Sequence, residues 1–234
     1  MYGQSLRLCS LELLELADNR IGKIENLEEL TGLKKLFLGA NQITVIEGLS
    51  TLKELTVLSF IGNAIRDIEG LSTLTKLMDL SIAQNGITRI AGLVYLKLSL
   101  KNPENLAIGF VKTLFSHLLS DLFRLTNNLA LSCLDLNDNR IEKIENLQHL
   151  VNLRSLWIRK NKIANWSEVA YLNRLPLLRD VAFEMNPIYS TQHFYRNRIR
   201  EILPKIKIID GFPARWITGD PWQELSEGSE GSCA

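Results

Sequence analysis

A single spacing runs through most of the chain, in which an asparagine recurs every 22 residues within a frame of leucines and isoleucines. The 22-residue step joins Asn19, Asn41, Asn63 and Asn85, then Asn139 and Asn161, and a last step of 25 residues leads to Asn186. A repeat constrains the fold more than any single motif, because each unit can bury its apolar side only against a neighbouring unit. The chain is therefore expected to stack its units into one elongated array.

The two halves of a unit predict two backbone conformations. Leu36 and Leu38 are two positions apart, so they lie on one side of a short strand and the residue between them lies on the other. After Asn41, apolar residues fall at every third position, which suits a 3₁₀ or loose helical turn on the return path. This frame is typical of 22-residue leucine-rich repeats. It predicts an α/β solenoid, a horseshoe with a parallel concave sheet, a convex side of 3₁₀ or short helical segments, and a C-terminal cap.

The repeated polar positions have a structural explanation. A side-chain amide both donates and accepts, so each asparagine can pair with turn backbone groups that would otherwise be unsatisfied. Seven residues after each asparagine the chain carries glycine or asparagine, which predicts a left-handed backbone there. These positions are Asn26, Gly48, Gly70, Gly92 and Asn146. Neither series is expected to have a functional role.

The pattern divides the chain into an array over residues 1–189 with about eight repeats, a cap over 190–212 and a partly disordered tail over 213–234. The array begins at once, with no amphipathic helix to cover its open end, so we expect N-terminal sequence to be missing. In the cap we expect a helix with Ser190 or Thr191 as N-cap and Pro204 as stop. Trp216 and Trp222 are expected to pack on that cap.

The frame becomes irregular over residues 97–130. Asn85 and Asn139 are 54 residues apart, two periods plus ten. One interpretation places a decayed repeat before Leu131, with His117 at the asparagine position, and a loop insertion near Lys97 to Val111. An aberrant stretch in the gene model and a binding loop are the alternatives.

Composition excludes several functions. The formal net charge is +1, with 27 basic and 26 acidic residues, so electrostatics do not favour a nucleic acid partner. Cys9, Cys133 and Cys233 form no C-x-x-C pair, which favours a reducing compartment, nucleus or cytoplasm. No apolar run approaches the roughly 20 residues of a membrane span. No secretion signal is evident, and we expect a monomer.

The sequence shows no constellation for catalysis. It has no phosphate-binding glycine loop or nucleophile elbow, and its three histidines lack metal-ligand spacing. We expect no enzyme activity, no metal and no cofactor. Glu25, Glu47 and Glu69 recur at the repeat period, which indicates solvated residues of the outer turn rather than an acid–base pair.

Function is then expected on the concave side, where residues two and four before each asparagine project. Phe37 and Trp157 are aromatic residues of the kind enriched at protein–protein hot spots, although they could instead stabilise the sheet by stacking. Acidic residues outnumber basic ones nearby, which favours a partner with a partly basic surface. The predicted partner-binding residues are Glu15, Phe37, Asp79, Asp135, Trp157, Asp180 and Glu184.

The frame, the 25-residue last step and the segments LWIRKNKIANWSEVAYL and YRNRIREILPKIKIIDG resemble the leucine-rich-repeat regulatory subunit 7 family of protein phosphatase 1. The resemblance implies a non-catalytic regulatory or targeting subunit that docks the phosphatase catalytic subunit on its concave face. Glu15, Phe37, Asp135 and Trp157 match residue types used in that family. Ser59, Ser81, Ser155 and Ala182 depart from it. The alternatives are another intracellular scaffold, of the axonemal dynein light-chain or spliceosomal type, and a truncated remnant without a partner.

Overall fold

A computed structural model describes residues 10–90, 130–190 and 194–217 of the chain. Its main feature is a sheet of nine short strands ordered as they occur in the sequence. The first seven strands have three residues each: β1 (Leu13–Glu15), β2 (Lys35–Phe37), β3 (Val57–Ser59), β4 (Asp79–Ser81), β5 (Cys133–Asp135), β6 (Ser155–Trp157) and β7 (Asp180–Ala182). Two-residue strands β8 (Ile208–Ile209) and β9 (Phe212–Pro213) complete it.

The strands β1 to β8 pair in parallel, and only β8 with β9 is antiparallel. Each strand is displaced by one repeat along the stack, so Leu14, Leu36 and Leu58 align in one row. The predicted parallel solenoid is confirmed.

The core runs along the whole stack as rows of equivalent residues. Leu36, Leu58, Leu80 and Leu134 are at most 1% exposed, and so are their return-path counterparts Ile43, Leu52 and Leu55. On the return path the backbone N–H groups of leucines donate to carbonyls three residues earlier, as Leu52 does to Leu49 at 3.0 Å. Before residue 166 the described return paths are therefore single turns of the 3₁₀ type, rather than continuous helices.

The asparagines form a hydrogen-bonded ladder between repeats. Asn63 accepts from the Ile43 N–H at 2.9 Å and donates to the carbonyls of Leu38 at 2.8 Å and Phe60 at 3.0 Å. Asn41, Asn85, Asn139, Asn161 and Asn186 bond in the same way, each to its own turn and to the preceding repeat. The predicted structural role of the asparagines agrees with this geometry.

The positions seven residues after the asparagines have the expected left-handed backbone. The φ angles are 61° at Asn26, 71° at Gly48, 70° at Gly70 and 60° at Asn146, while Gly92 lies outside the described residues. At Gly70 a Cβ atom would lie 2.1 Å from the Ile46 carbonyl oxygen, so the close approach of two repeats also requires glycine.

The irregular middle of the chain differs from the sequence prediction. Strands β4 and β5 pair directly, Asp79 opposite Cys133, and the Ile87 N–H donates to Asn139 at 3.0 Å as in a regular step. From Asn85 to Asn139 the described sheet advances by one strand over 54 residues, and the predicted decayed repeat lies outside the described residues. His117 and Lys97 to Val111 lie outside the described residues.

The C-terminal part contains the helices, namely α1 (Trp166–Tyr171), a 3₁₀ turn (Leu172–Arg174), α2 (Pro187–Ser190), α3 (Tyr195–Ile202) and a second 3₁₀ turn (Ala214–Trp216). Helix α3 buries Tyr195 and Ile199. It ends before Pro204.

Two expectations about the cap are wrong. The N-cap of α3 is Phe194, without a side-chain cap bond, whereas Ser190 belongs to α2 and Thr191 lies outside the described residues. Trp216 is 65% exposed instead of packed on the cap, and the guanidinium of Arg215 lies 5.8 Å from its ring centroid. Trp222 lies outside the described residues.

Candidate functional site on the concave sheet

The concave face is formed by the strand side chains that point away from the core, together with the residue that follows each strand by two positions. The parallel register sorts them into columns that run across the sheet. The central column is Glu15, Phe37, Ser59, Ser81, Asp135, Trp157 and Ala182. Because every strand contributes one residue per column, the repeat spacing alone fixes which side chains are neighbours.

The seven predicted residues do not form one patch. Four strand spacings of about 4.8 Å separate Phe37 from Trp157, so about 19 Å of sheet lies between the two aromatic side chains. Both rings are half-buried rather than fully exposed to solvent. The face therefore divides into an N-terminal and a C-terminal half.

The N-terminal half is mostly apolar. Glu15 and Phe37 are directly opposite each other, and Leu13 beside them is 50% exposed. Val57 and Ile61 continue this surface on the next repeat, with Ile61 38% exposed. Lys35 is the only basic side chain of the strands β1 to β3 on this half.

The C-terminal half carries the acidic residues, arranged around a cysteine. Asp79 lies opposite Cys133, and Asp135 follows Cys133 by two positions on the same strand. Burial, followed by the negative charges of Asp79, Asp135 and Asp180, raises the pKa of the Cys133 thiol to about 11. The pKa of Cys133 is thus raised mainly by burial, and the three neighbouring carboxylates raise it further.

Two of the acidic side chains accept hydrogen bonds from side chains of the adjacent strand. The indole N–H of Trp157 donates to Asp180 at 3.1 Å, and the Ser81 hydroxyl donates to Asp135 at 3.1 Å. Asp135 also accepts from the Asn137 backbone N–H at 3.0 Å. A side chain fixed in this way loses little conformational entropy when a partner binds.

Glu184 has a different role from the other predicted residues, because it links the face to the cap. Its carboxylate lies 3.2 Å from Arg159 and 2.7 Å from Arg196 of α3. Arg196 also donates to the buried Asp210 at 2.9 Å, and Asp210 accepts from the Phe183 N–H at 2.8 Å. Burial raises the pKa of the Asp210 carboxyl to about 6, against the influence of these backbone donors. Arg159 and Glu184 are therefore already partnered within the chain.

The sequence analysis missed Cys133, Arg196 and Asp210. Cys133 occupies the same position relative to its asparagine as Asp79 and Asp180, so the repeat frame contained its signal. Arg196 and Asp210 lie outside the frame, and only the folded cap brings them to Glu184.

Within the described ranges, no three His, Cys, Asp or Glu side chains are placed to hold a metal ion. No helix of the part that the structure describes is long and apolar enough to cross a membrane.

In the comparison with protein families, one family model matches the chain at two places. The model described as "Leucine Rich repeats (2 copies)" matches residues 31–73 and 130–171. The two matches lie on either side of the irregular middle of the chain.

Among characterised sequences, the chain is similar to Centrosomal protein of 72 kDa of Mus musculus, with 36% identity over 107 residues. This alignment covers 46% of the chain and 16% of that protein. Cilia- and flagella-associated protein 410 of Homo sapiens is 31% identical over 103 residues, covering 43% of the chain and 39% of that protein. The chain thus spans less than half the length of these relatives.

Among solved structures, a leucine-rich-repeat protein of Leptospira interrogans superposes with a TM-score of 0.60 and 22% identity. The superposition covers 86% of this chain and 43% of the Leptospira chain. An internalin of Listeria monocytogenes gives a TM-score of 0.52 and 27% identity, covering 88% and 62%. These structures share the solenoid fold.

Proposed function

We propose that this chain, whose fold is a leucine-rich-repeat solenoid, acts without catalysis by holding another protein on its concave sheet. The observation that carries the proposal is the C-terminal half of this face, where Asp79, Asp135 and Asp180 surround Cys133 beside Trp157. An aromatic ring among fixed carboxylates is a surface to which a basic and partly apolar protein segment is complementary.

The apolar N-terminal half extends the same surface. Leu13, Phe37, Val57 and Ile61 offer partly exposed apolar area at a rigid sheet. A partner that spans both halves would place apolar side chains there and its basic residues near Asp79 and Asp180. The preformed sheet keeps the ordering cost on this side of the interface small.

Two partner classes follow from different observations. The sequence resemblance favours the catalytic subunit of protein phosphatase 1, with Glu15, Phe37, Asp135 and Trp157 in contact. The similarity to a centrosomal protein and to a cilia- and flagella-associated protein favours a partner at the centrosome or cilium. A direct titration of the chain with the purified phosphatase subunit distinguishes them, since binding is expected only in the first case.

Trp157 provides the sharpest test of the face itself. Trp157→Ala removes the ring and its bond to Asp180, so we expect partner affinity to fall about 30-fold, equivalent to about 2 kcal/mol. The measurement is calorimetric titration of the folded variant with the partner identified by affinity capture and mass spectrometry.

Trp216→Ala is the matched control, because Trp216 is an exposed tryptophan on the cap, away from the concave columns. It should bind the partner as the wild type does. Equal affinity of wild type and Trp157→Ala, or equal loss in both variants, would contradict concave docking.

A further inference from the structure

The cap carries a second apolar surface that the concave proposal does not use. Phe194, Phe212 and Trp216 are 44%, 52% and 65% exposed and, with Tyr195, Arg196, Asn197 and Ile217, line one groove, which we call the cap groove. Its volume is about 290 Å³. At about 30 Å³ for each water, that is the space of roughly ten waters, sufficient for an indole ring. Exposed aromatic clusters of this kind are characteristic of binding surfaces.

The groove is rigid at its base. The guanidinium of Arg196 lies 5.3 Å from the centroid of the Tyr195 ring and 4.9 Å from that of Phe212, and its ion pairs with Glu184 and Asp210 fix it there. The Tyr195 ring also packs edge-on against Tyr189 at 4.8 Å. A ligand would thus meet a preformed aromatic site.

One buried polar group of the groove is unsatisfied. Tyr195 is only 4% exposed, yet its hydroxyl has no hydrogen-bond partner among the residues that the structure describes. Buried hydroxyls nearly always have a partner, because a buried polar group left unpaired is destabilising. A backbone carbonyl or side chain of a bound segment could satisfy it.

The rim of the groove is positively charged. Arg215 lies over the Trp216 ring, and Arg200 donates to the Ile217 carbonyl at 2.6 Å. Among the described residues, neither cation forms an ion pair with a carboxylate. The rim is therefore complementary to an acidic segment.

The chain itself supplies a segment with the required chemistry. Residues 218–234 follow directly after Ile217, a residue of the groove, and contain Asp220, Glu224, Glu227 and Glu230 without lysine or arginine. Trp222 is five residues beyond Ile217, and an extended chain spans about 17 Å over that distance, which is enough to reach back into the groove.

We propose that the cap groove binds the C-terminal segment of its own chain, with Trp222 as the apolar anchor and the acidic residues beside Arg200 and Arg215. Docking would cover Phe212 and Trp216 and extend the cap. The lining of the cap groove does not include Trp157, so the proposal stands or fails independently of that residue.

Fluorine NMR of the full-length chain labelled with 5-fluorotryptophan tests the proposal. The chain has four tryptophans, and the Trp222 resonance is identified by its loss in Trp222→Phe. We expect the chemical shift of this resonance to differ from its value in the urea-unfolded chain. We also expect its change between H2O and D2O, which reports solvent exposure, to be less than half of that in the unfolded chain. An unfolded-like position with the full isotope shift would overturn the proposal.

Two variants and one control locate the docking site. Phe212→Ala and Arg215→Glu should return the Trp222 resonance toward its unfolded position, while Arg20→Glu, at the other end of the array, should leave it unchanged. A resonance that none of the variants moves would overturn the assignment to the cap groove. A displacement that disappears on dilution would also overturn it, because the occupant would then be a second copy.

Discussion

At the scale of single residues, the repeated asparagines stabilise the array through bonds that connect neighbours. Asn63 links three backbone groups of two repeats, whereas Asn19, in the first described repeat, donates only to the carbonyls of Leu16 and Ala17 in its own turn. The same side chain should therefore contribute differently at the two positions.

Asn63→Ala should lower the free energy of unfolding by about 2–3 kcal/mol, because it leaves buried backbone groups of two repeats unpaired. Asn19→Ala is the matched control and should cost about 1 kcal/mol or less. The measurement is the urea midpoint by circular dichroism. Equal losses would show that the bonds between repeats add nothing beyond the local turn.

The thiol of Cys133 provides a pH-dependent probe of the acidic half. Because only the thiolate reacts, a pKa near 11 instead of 9.0 leaves about 100-fold less reactive species at pH 8. In the Cys9→Ser/Cys233→Ser background, alkylation should be about 100-fold slower than that of a free thiol and should keep rising with pH toward 11. Asp79→Asn should accelerate it, since a neighbouring negative charge is removed. A plateau near pH 9 would contradict the negative environment.

At the scale of elements, the turns between strands place several residues in the left-handed backbone region, and some of these residues are glycines. Gly62 and Gly70 have φ angles of 71° and 70°, so both occupy the left-handed region. They differ in their surroundings, because a Cβ at Gly62 would meet nothing closer than 3.6 Å, and a Cβ at Gly70 would lie 2.1 Å from the Ile46 carbonyl oxygen. Substitutions at these two glycines therefore distinguish the cost of a left-handed backbone from the cost of a steric clash between repeats.

Gly62→Ala should cost about 1 kcal/mol, the strain of a left-handed residue with a Cβ. Gly70→Ala should cost at least about 2 kcal/mol more, because the Ile46 backbone must also move. Thermal unfolding of the two variants measures the difference. Similar melting temperatures would show that neighbouring repeats tolerate displacement at this turn.

The elements also show what sequence analysis can predict. The strands, the asparagine bonds and the left-handed turns follow from a 22-residue period, because each depends on contacts between adjacent units. The Trp157–Asp180 bond and the link from Glu184 through Arg196 to Asp210 were not predicted. They depend on side-chain orientation and on a cap outside the repeat.

At the scale of the whole molecule, the array continues across the irregular middle as if the chain there were one ordinary step. The pairing of β4 with β5 has the same register as every other pair of strands in the repeat. The leucines before Leu131 match the repeat frame in the sequence, and a frame match alone does not show where such a segment lies relative to β4 and β5.

Deletion of residues 98–129 tests whether β4 and β5 can pair without these residues. Removing the 32 residues brings Asn139 to 22 residues from Asn85, the regular repeat step. We expect the variant to fold cooperatively and to gain about 1 kcal/mol from the shorter loop. The check is urea unfolding together with circular dichroism of the native state.

A longer deletion, residues 95–129, is the control. It shortens the step to 19 residues and removes Leu96, so it should be strongly destabilised. Loss of folding in both variants would show that the deleted residues are part of the core.

The direct pairing of β4 with β5 also means that the spacing of these two strands does not depend on the number of residues that connect them. We therefore expect that an epitope or a fluorescent domain can replace residues 98–129 with the strand register kept. Such a replacement would attach a reporter without changing a residue of the concave columns.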